Sequence, residues 1–193
     1  MAFPSSEQRA AAAPLARQPR PLAVAHWLTA LALLAVFALV LGRELIDEKA
    51  VRATWLQLHR VMGLLVWALA LTRLVMRSRW RLQEVLSDQP RWQAWLASGI
   101  HGLLYVFLLG LPLLGWALTN AAGKPVVLPL LGTLPTLLAP DPDLADTLED
   151  WHGTLAWILA AMVGAHAAAA LWHHLVLRDG VLRAMWPWAR ARS

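Results

Sequence analysis

The sequence has no cysteine, one tyrosine, three phenylalanines and few charges. Without cysteine there is no disulfide, no thiolate-held zinc or iron–sulfur cluster, no thiol nucleophile and no covalent CxxCH haem attachment. Charged residues make up 15% of the 193 positions, too few to cover the surface of a soluble domain of this length. A disordered chain, a disulfide scaffold and an ordinary cytosolic enzyme are therefore excluded. What is present in quantity is apolar: 59% hydrophobic residues and a mean hydropathy of +0.50. That composition is expected of an integral membrane protein.

The net charge of +5 and pI near 11 resemble those of a nucleic-acid binder. The basic residues, however, fall in short clusters between long apolar runs, where membrane topology uses them, and no nucleic acid is expected as a partner. Twelve tryptophans, among them Trp27, Trp55, Trp80, Trp92, Trp95, Trp151 and Trp172, lie mostly near the ends of those runs, as in an interfacial belt.

Four runs are long enough to cross a bilayer as helices: 22–42, 55–76, 97–119 and 151–176. The expected fold class is an all-α membrane protein, a four-transmembrane-helix bundle forming a single domain over residues 1–193. Pro21 suits an early helical position, and Arg178-Asp179-Gly180 reads as the exit of the last helix. The first run, too long for an h-region and followed by no small-residue cleavage site, reads as a span rather than a cleaved signal. Residues 126–140 are apolar but short and carry Pro129, Pro135 and Pro140, so they read as a loop at the membrane surface.

Charge sets the orientation. The N-terminal tail (1–20), the end of span two, the loop after it and the C-terminal tail (178–193) carry twelve arginines against four acids. The opposite side carries five basic residues against eight acids. Both termini are therefore expected in the cytoplasm, with the chain multi-pass in a bacterial inner membrane.

Seven histidines lie in or at the ends of the spans: His26, His59, His101, His152, His166, His173 and His174. An ionisable side chain at membrane depth is costly, and one alone is as readily a packing residue as a functional one. So many together point to a function. Span one enters from the cytoplasm, which puts His26 near the inner face; spans two and four enter from outside, which puts His59 and His152 near the outer face. His166 follows His152 by 14 residues, about 21 Å deeper and on nearly the same side of the helix. Two tiers result, His59 with His152 outside and His26 with His166 inside.

Paired neutral imidazoles from facing helices are what a six-coordinate haem iron requires, and such ligation favours electron transfer over oxygen chemistry. With no cysteine the haems are expected to be non-covalent, b-type. Arg73 repeats the 14-residue interval after His59 and is a candidate partner for a haem propionate, with snorkelling to the headgroups as the alternative. Arg60, beside His59, is a second such candidate. Gly63, one turn from His59, leaves room for a flat ring. The alanine run 167–170 reads as helix packing. The lone Glu149-x-x-His152 does not make a di-iron site, and HExxH and GxSxG are absent.

Four segments carry a resemblance to a known family: His26-Trp27, LHRVMGLLVWALALTRLVMR (58–77), HGLLYVFLLGLPLLGWALTNAAGKPV (101–126) and WHGTLAWILAAMVGAHAAAALWHHLVLRDGVLRAMWP (151–187). Together they resemble the bacterial cytochrome b561 family of di-haem membrane proteins, over essentially the whole chain from His26 to Pro187. The resemblance implies His26 and His166 as axial ligands of an inner haem, and His59 and His152 of an outer one. It also implies exchange of electrons with ubiquinone near the cytoplasmic face, where His101, His173 and His174 are candidates for hydrogen-bonding a quinone carbonyl or moving protons. The leading expectation is a transmembrane electron carrier from an outer-face donor to the ubiquinone pool; some members of the family oxidise superoxide at the outer face, which makes superoxide one candidate donor and an oxidoreductase of the superoxide:ubiquinone kind one expected activity. Arg60, Lys124 and Arg52 would attract the anion, whereas Asp141, Asp143, Asp146, Glu149 and Asp150 oppose it. The alternative is a cytochrome b anchor and electron relay for a peripheral redox partner such as a hydrogenase-type enzyme. A third class, a metal or haem transporter, predicts labile histidine sites and no stable redox cofactor.

Overall fold

In the computed structural model, residues 18–80, 91–129, 131–178 and 181–188 are described. The chain forms four long helices: α1 (Arg20–Gly42), α2 (Lys49–Trp80), α3 (Arg91–Ala121) and α4 (Pro142–Trp172). A short helix, α5 (Val181–Ala184), follows. Four segments are long and apolar enough to cross a membrane: Arg20–Leu45, Lys49–Arg79, Trp95–Ala121 and Pro142–Leu177. The architecture is a four-helix membrane bundle.

The helices outrun the apolar stretches, and in α2 and α4 a carboxylate caps the first turn. Pro21 opens α1, where its missing N–H and fixed φ cost nothing. Both carboxylate oxygens of Glu48 accept hydrogen bonds, from the N–H of Ala50 at 3.2 Å and of Val51 at 2.8 Å, so α2 starts six residues before the apolar run. Asp141 caps α4 by accepting from the Leu144 N–H at 3.1 Å, with Pro142 behind it. The fourth helix thus begins nine residues before the start of the 151–176 run.

Close backbone neighbours are α1 with α2, α2 with α3, and α3 with α4. Their shared core is a mid-depth layer of Ala32, Leu33, Val66, Ala70, Leu104, Leu108, Leu111 and Leu159. Outward faces stay apolar: Leu34 is 66% exposed, Val106 64% and Trp157 62%. In water that surface would drive aggregation, whereas in lipid it is the solvent-matched side.

Two regions show detail beyond the sequence reading. Segment 126–140, expected as a loop, is a connection that carries a short hairpin and straps across the bundle end. Val127–Leu128 pairs antiparallel with Gly132–Thr133, and Asp141 N–H donates to the Ala121 carbonyl at 2.8 Å. Asn120, 3% exposed, ties the strap down, accepting from the Leu137 N–H at 2.8 Å and donating to the Lys124 carbonyl at 3.1 Å. The fourth helix exits at Arg178, as read from the sequence. It widens into a π turn over His173–Leu177, and Arg178, not a glycine, takes the left-handed conformation at φ 54°. Asp179 and Gly180 lie outside the described residues, as do most of the two tails and residues 81–90 of the inner loop.

Candidate functional site: two tiers of paired imidazoles

Each tier is built where α4 faces a different helix. His26 on α1 and His166 on α4 have ring centroids 6.3 Å apart, with planes at 77°. His59 on α2 and His152 on α4 are also 6.3 Å apart, with planes at 76°. The helices α1 and α4 are not among the close backbone neighbours; these side chains reach across the space between them.

The spacing has a chemical meaning. A metal–imidazole bond of about 2.0 Å, plus about 1.15 Å from ring nitrogen to ring centre in a five-membered ring of about 1.33 Å bonds, separates two axial imidazoles on one iron by about 6.3 Å. Both pairs have that separation. Among the described residues no three His, Cys, Asp or Glu side chains gather as a metal-binding group; what each tier offers is two imidazoles at the spacing of a pair on one metal ion. Ring orientation points the same way. His59 Nδ1 meets the Val36 carbonyl at 3.0 Å. Donation there puts the proton on Nδ1 and leaves Nε2 as a free lone pair for a metal.

The outer tier opens into a cavity of about 470 Å³ between all four helices and the strap. His59 and His152 line it together with Gly63, Gly115 and Gly153. A Cβ on Gly63 or Gly153 would meet nothing within 4 Å, whereas a Cβ on Gly115 would stand 3.1 Å from His152 Cε1. Gly115 is therefore what lets the His152 ring lie against α3. Arg43, Arg60 and Lys124 bring three cations to the lining, against the single carboxylate of Glu149. Arg43 Nε pairs with Glu44 at 3.0 Å, and Arg52 pairs with the same carboxylate at 3.2 Å. Asp141 serves as the α4 cap. Val126, 2% exposed, lines the cavity from the strap, and Gln57 Nε2 holds the neighbouring Val127 carbonyl at 2.6 Å.

The inner tier draws on all four helices. Arg73 on α2 lies within electrostatic reach of His26 and His166. Its guanidinium carbon sits 5.4 Å from the centre of the Tyr105 ring on α3, turned inward instead of out to headgroups. Its Nε is sealed from solvent without a hydrogen-bond partner among the described residues, as is Nδ1 of His26. The buried Nε–H of Arg73, an obligate donor, fits an acidic group that is not part of the polypeptide. His101, one turn before Tyr105, brings its ring to 5.4 Å from that of His166. His173 and His174 lie in the π turn, half-buried. The C-terminal segment covers this end: Trp27 Nε1 donates to the Met185 carbonyl at 2.8 Å, and Trp27 packs edge-on against Trp186.

Arg43, Gly115, Tyr105 and the Trp27–Met185 contact were not singled out from the sequence. Arg43 falls just past the first apolar run and reads as topology charge. Tyr105 follows His101 by four residues, and that helical spacing is the one signal that it shares a face with an intramembrane histidine.

Fold and site together define a class: an integral membrane four-helix bundle carrying two stacked imidazole pairs suited to planar metal cofactors. The sequence model of prokaryotic cytochrome b561 matches residues 17–188. Cytochrome b561 homolog 1 of Escherichia coli K12 is 32% identical over 165 residues, covering 84% of this chain and 92% of that protein. A probable superoxide oxidase, CybB, of Yersinia pestis is 28% identical over 164 residues, 84% of this chain and 91% of that protein. Cytochrome b561 homolog 2 of E. coli K12 is 29% identical over 168 residues, 83% and 86% respectively. The chain belongs to the prokaryotic cytochrome b561 family, whose members bind haem b and transfer electrons in bacterial membranes.

Proposed function

We propose that this protein carries electrons across the inner membrane through two bis-histidine b haems, from a donor at the outer face to ubiquinone at the inner face. The observation that carries the reading is the repeated 6.3 Å ring separation of His26–His166 and His59–His152, in two tiers that share α4. When bound, the haems supply two one-electron couples stacked through the membrane. The chain's own residues do the rest. His59 and His152 hold the outer site, and His26 and His166 the inner one. Arg60 at the outer tier and Arg73 at the inner tier neutralise propionates. The mid-depth apolar layer keeps water out of the space between the tiers.

Superoxide is the favoured donor. With Arg43 paired to Glu44, Arg60 and Lys124 still outnumber Glu149 around the outer cavity and favour a small anion there. A relative named as a probable superoxide oxidase supports the same choice. Each superoxide gives up one electron and leaves as dioxygen; two electrons and two protons convert a ubiquinone to ubiquinol. His101, His173 and His174, at the cytoplasmic end, are the groups suited to hold the quinone carbonyls and deliver those protons.

The test is haem stoichiometry. The purified protein should contain two haems b per chain, visible in reduced-minus-oxidised spectra. Alanine at His26 or His166 should remove one haem and spare the outer one; alanine at His59 or His152 should do the reverse. Retention of two haems in all four variants would sink the reading. Superoxide-driven quinone reduction by the isolated chain would establish the donor, whereas activity only with a co-purifying peripheral subunit would make it a relay.

A further inference from the structure

Among the described residues no carboxylate is paired with Arg73 of the inner tier, and its guanidinium is held over an aromatic ring. The guanidinium lies over the face of Tyr105, 5.4 Å from the ring centre. A cation over an aromatic face gains from the ring quadrupole, more so away from water. Tyr105 is the only tyrosine in the chain, half-buried and placed one turn after His101, whose own ring packs against that of His166. Arginine at membrane depth has a competing option: its long stem allows the head to snorkel to the headgroups. The aromatic face removes that option by giving the cation a desolvated resting place beside His26 and His166, within electrostatic reach of both.

We propose that Tyr105 is a positioning residue for the inner cofactor site, its ring clamping the Arg73 guanidinium beside the His26–His166 pair. The inference rests on the di-haem reading above. Its consequence is electrostatic. A fixed positive charge favours the reduced form of a nearby iron, which carries one positive charge fewer, so it raises the midpoint potential of the inner couple. Loss of that charge from a partly desolvated site should shift the redox equilibrium on the order of tenfold, which for a one-electron couple is about 59 mV downward.

Redox titration of the purified holoprotein tests this, the inner couple being the one lost in His26→Ala. Arg73→Gln should lower the inner couple alone. Tyr105→Leu should lower it in the same direction, and Tyr105→Phe, which keeps the ring and drops the hydroxyl, should restore the wild-type value. Tyr105→Leu added to Arg73→Gln should produce no further shift, because the clamp then has nothing to hold. Wild-type potentials in Tyr105→Leu with both haems present would overturn the proposal, as would shifts that simply add in the double variant. Should Tyr105→Leu fail to fold, an inner couple lowered in Tyr105→Phe as much as in Arg73→Gln would also overturn it. Unaltered haem content in both His26→Ala and His166→Ala would instead defeat the underlying di-haem reading.

Discussion

At the scale of single residues, the site depends on small side chains as much as on the histidines. Gly115 illustrates this. A Cβ there would press to 3.1 Å from His152 Cε1, so Gly115→Ala forces the imidazole to shift by a few tenths of an ångström. On the proposed di-haem reading, the expected outcome is an altered low-spin electron paramagnetic resonance signal for the outer haem alone, at unchanged haem content. Gly63 and Gly153 have open space around them, so alanine there should leave that signal alone. The spacing of His152 and His166 was readable from the sequence, because 14 residues return a helix to nearly the same side. Gly115 and Tyr105 were not readable, since each matters only through a residue on another helix.

At the scale of elements, the strap after α3 is the part to which the structure adds most. Its prolines and short apolar run suggested a segment resting on the membrane surface. What fixes it is hydrogen bonding from the helices beneath: Asn120, Gln57 and Trp116, the last donating to the Pro135 carbonyl at 3.2 Å. These partners are up to 70 positions away in sequence, beyond any local pattern. Asn120→Ala would leave the Leu137 N–H and the Lys124 carbonyl without this partner, at a cost of about 0.5–1.5 kcal/mol for each hydrogen bond lost, since both residues are exposed enough for water to replace it. The thermal unfolding temperature in detergent should fall, and Lys124, freed at the rim of the outer cavity, should lose its fixed place. Asn120→Asp keeps the acceptor for Leu137 and should fall less. The helix starts have a similar lesson. Hydropathy finds the apolar stretch, but Glu48 and Asp141 extend α2 and α4 beyond it by satisfying free N–H groups.

At the scale of the whole molecule, orientation is the outstanding prediction. Twelve arginines on one side against five basic residues on the other should place both termini in the cytoplasm. A reporter active only in the cytoplasm, fused to either terminus, should be active, and one fused within the 122–141 strap should be silent; the reverse pattern would invert the direction of electron flow proposed above.

The membrane class, the number of helices and the family were determined by the sequence alone. Apolar runs of bilayer length can satisfy their backbone in lipid in few ways, and helices are the simplest. Tertiary structure decided what no period or run encodes: that both imidazole pairs stand 6.3 Å apart, that Arg73 turns inward onto Tyr105, and that Val126 of the strap lines the outer cavity. Those are distances between side chains on different helices. They are set by how the helices pack against one another, and helical periodicity within one segment carries no information about the face its neighbour presents.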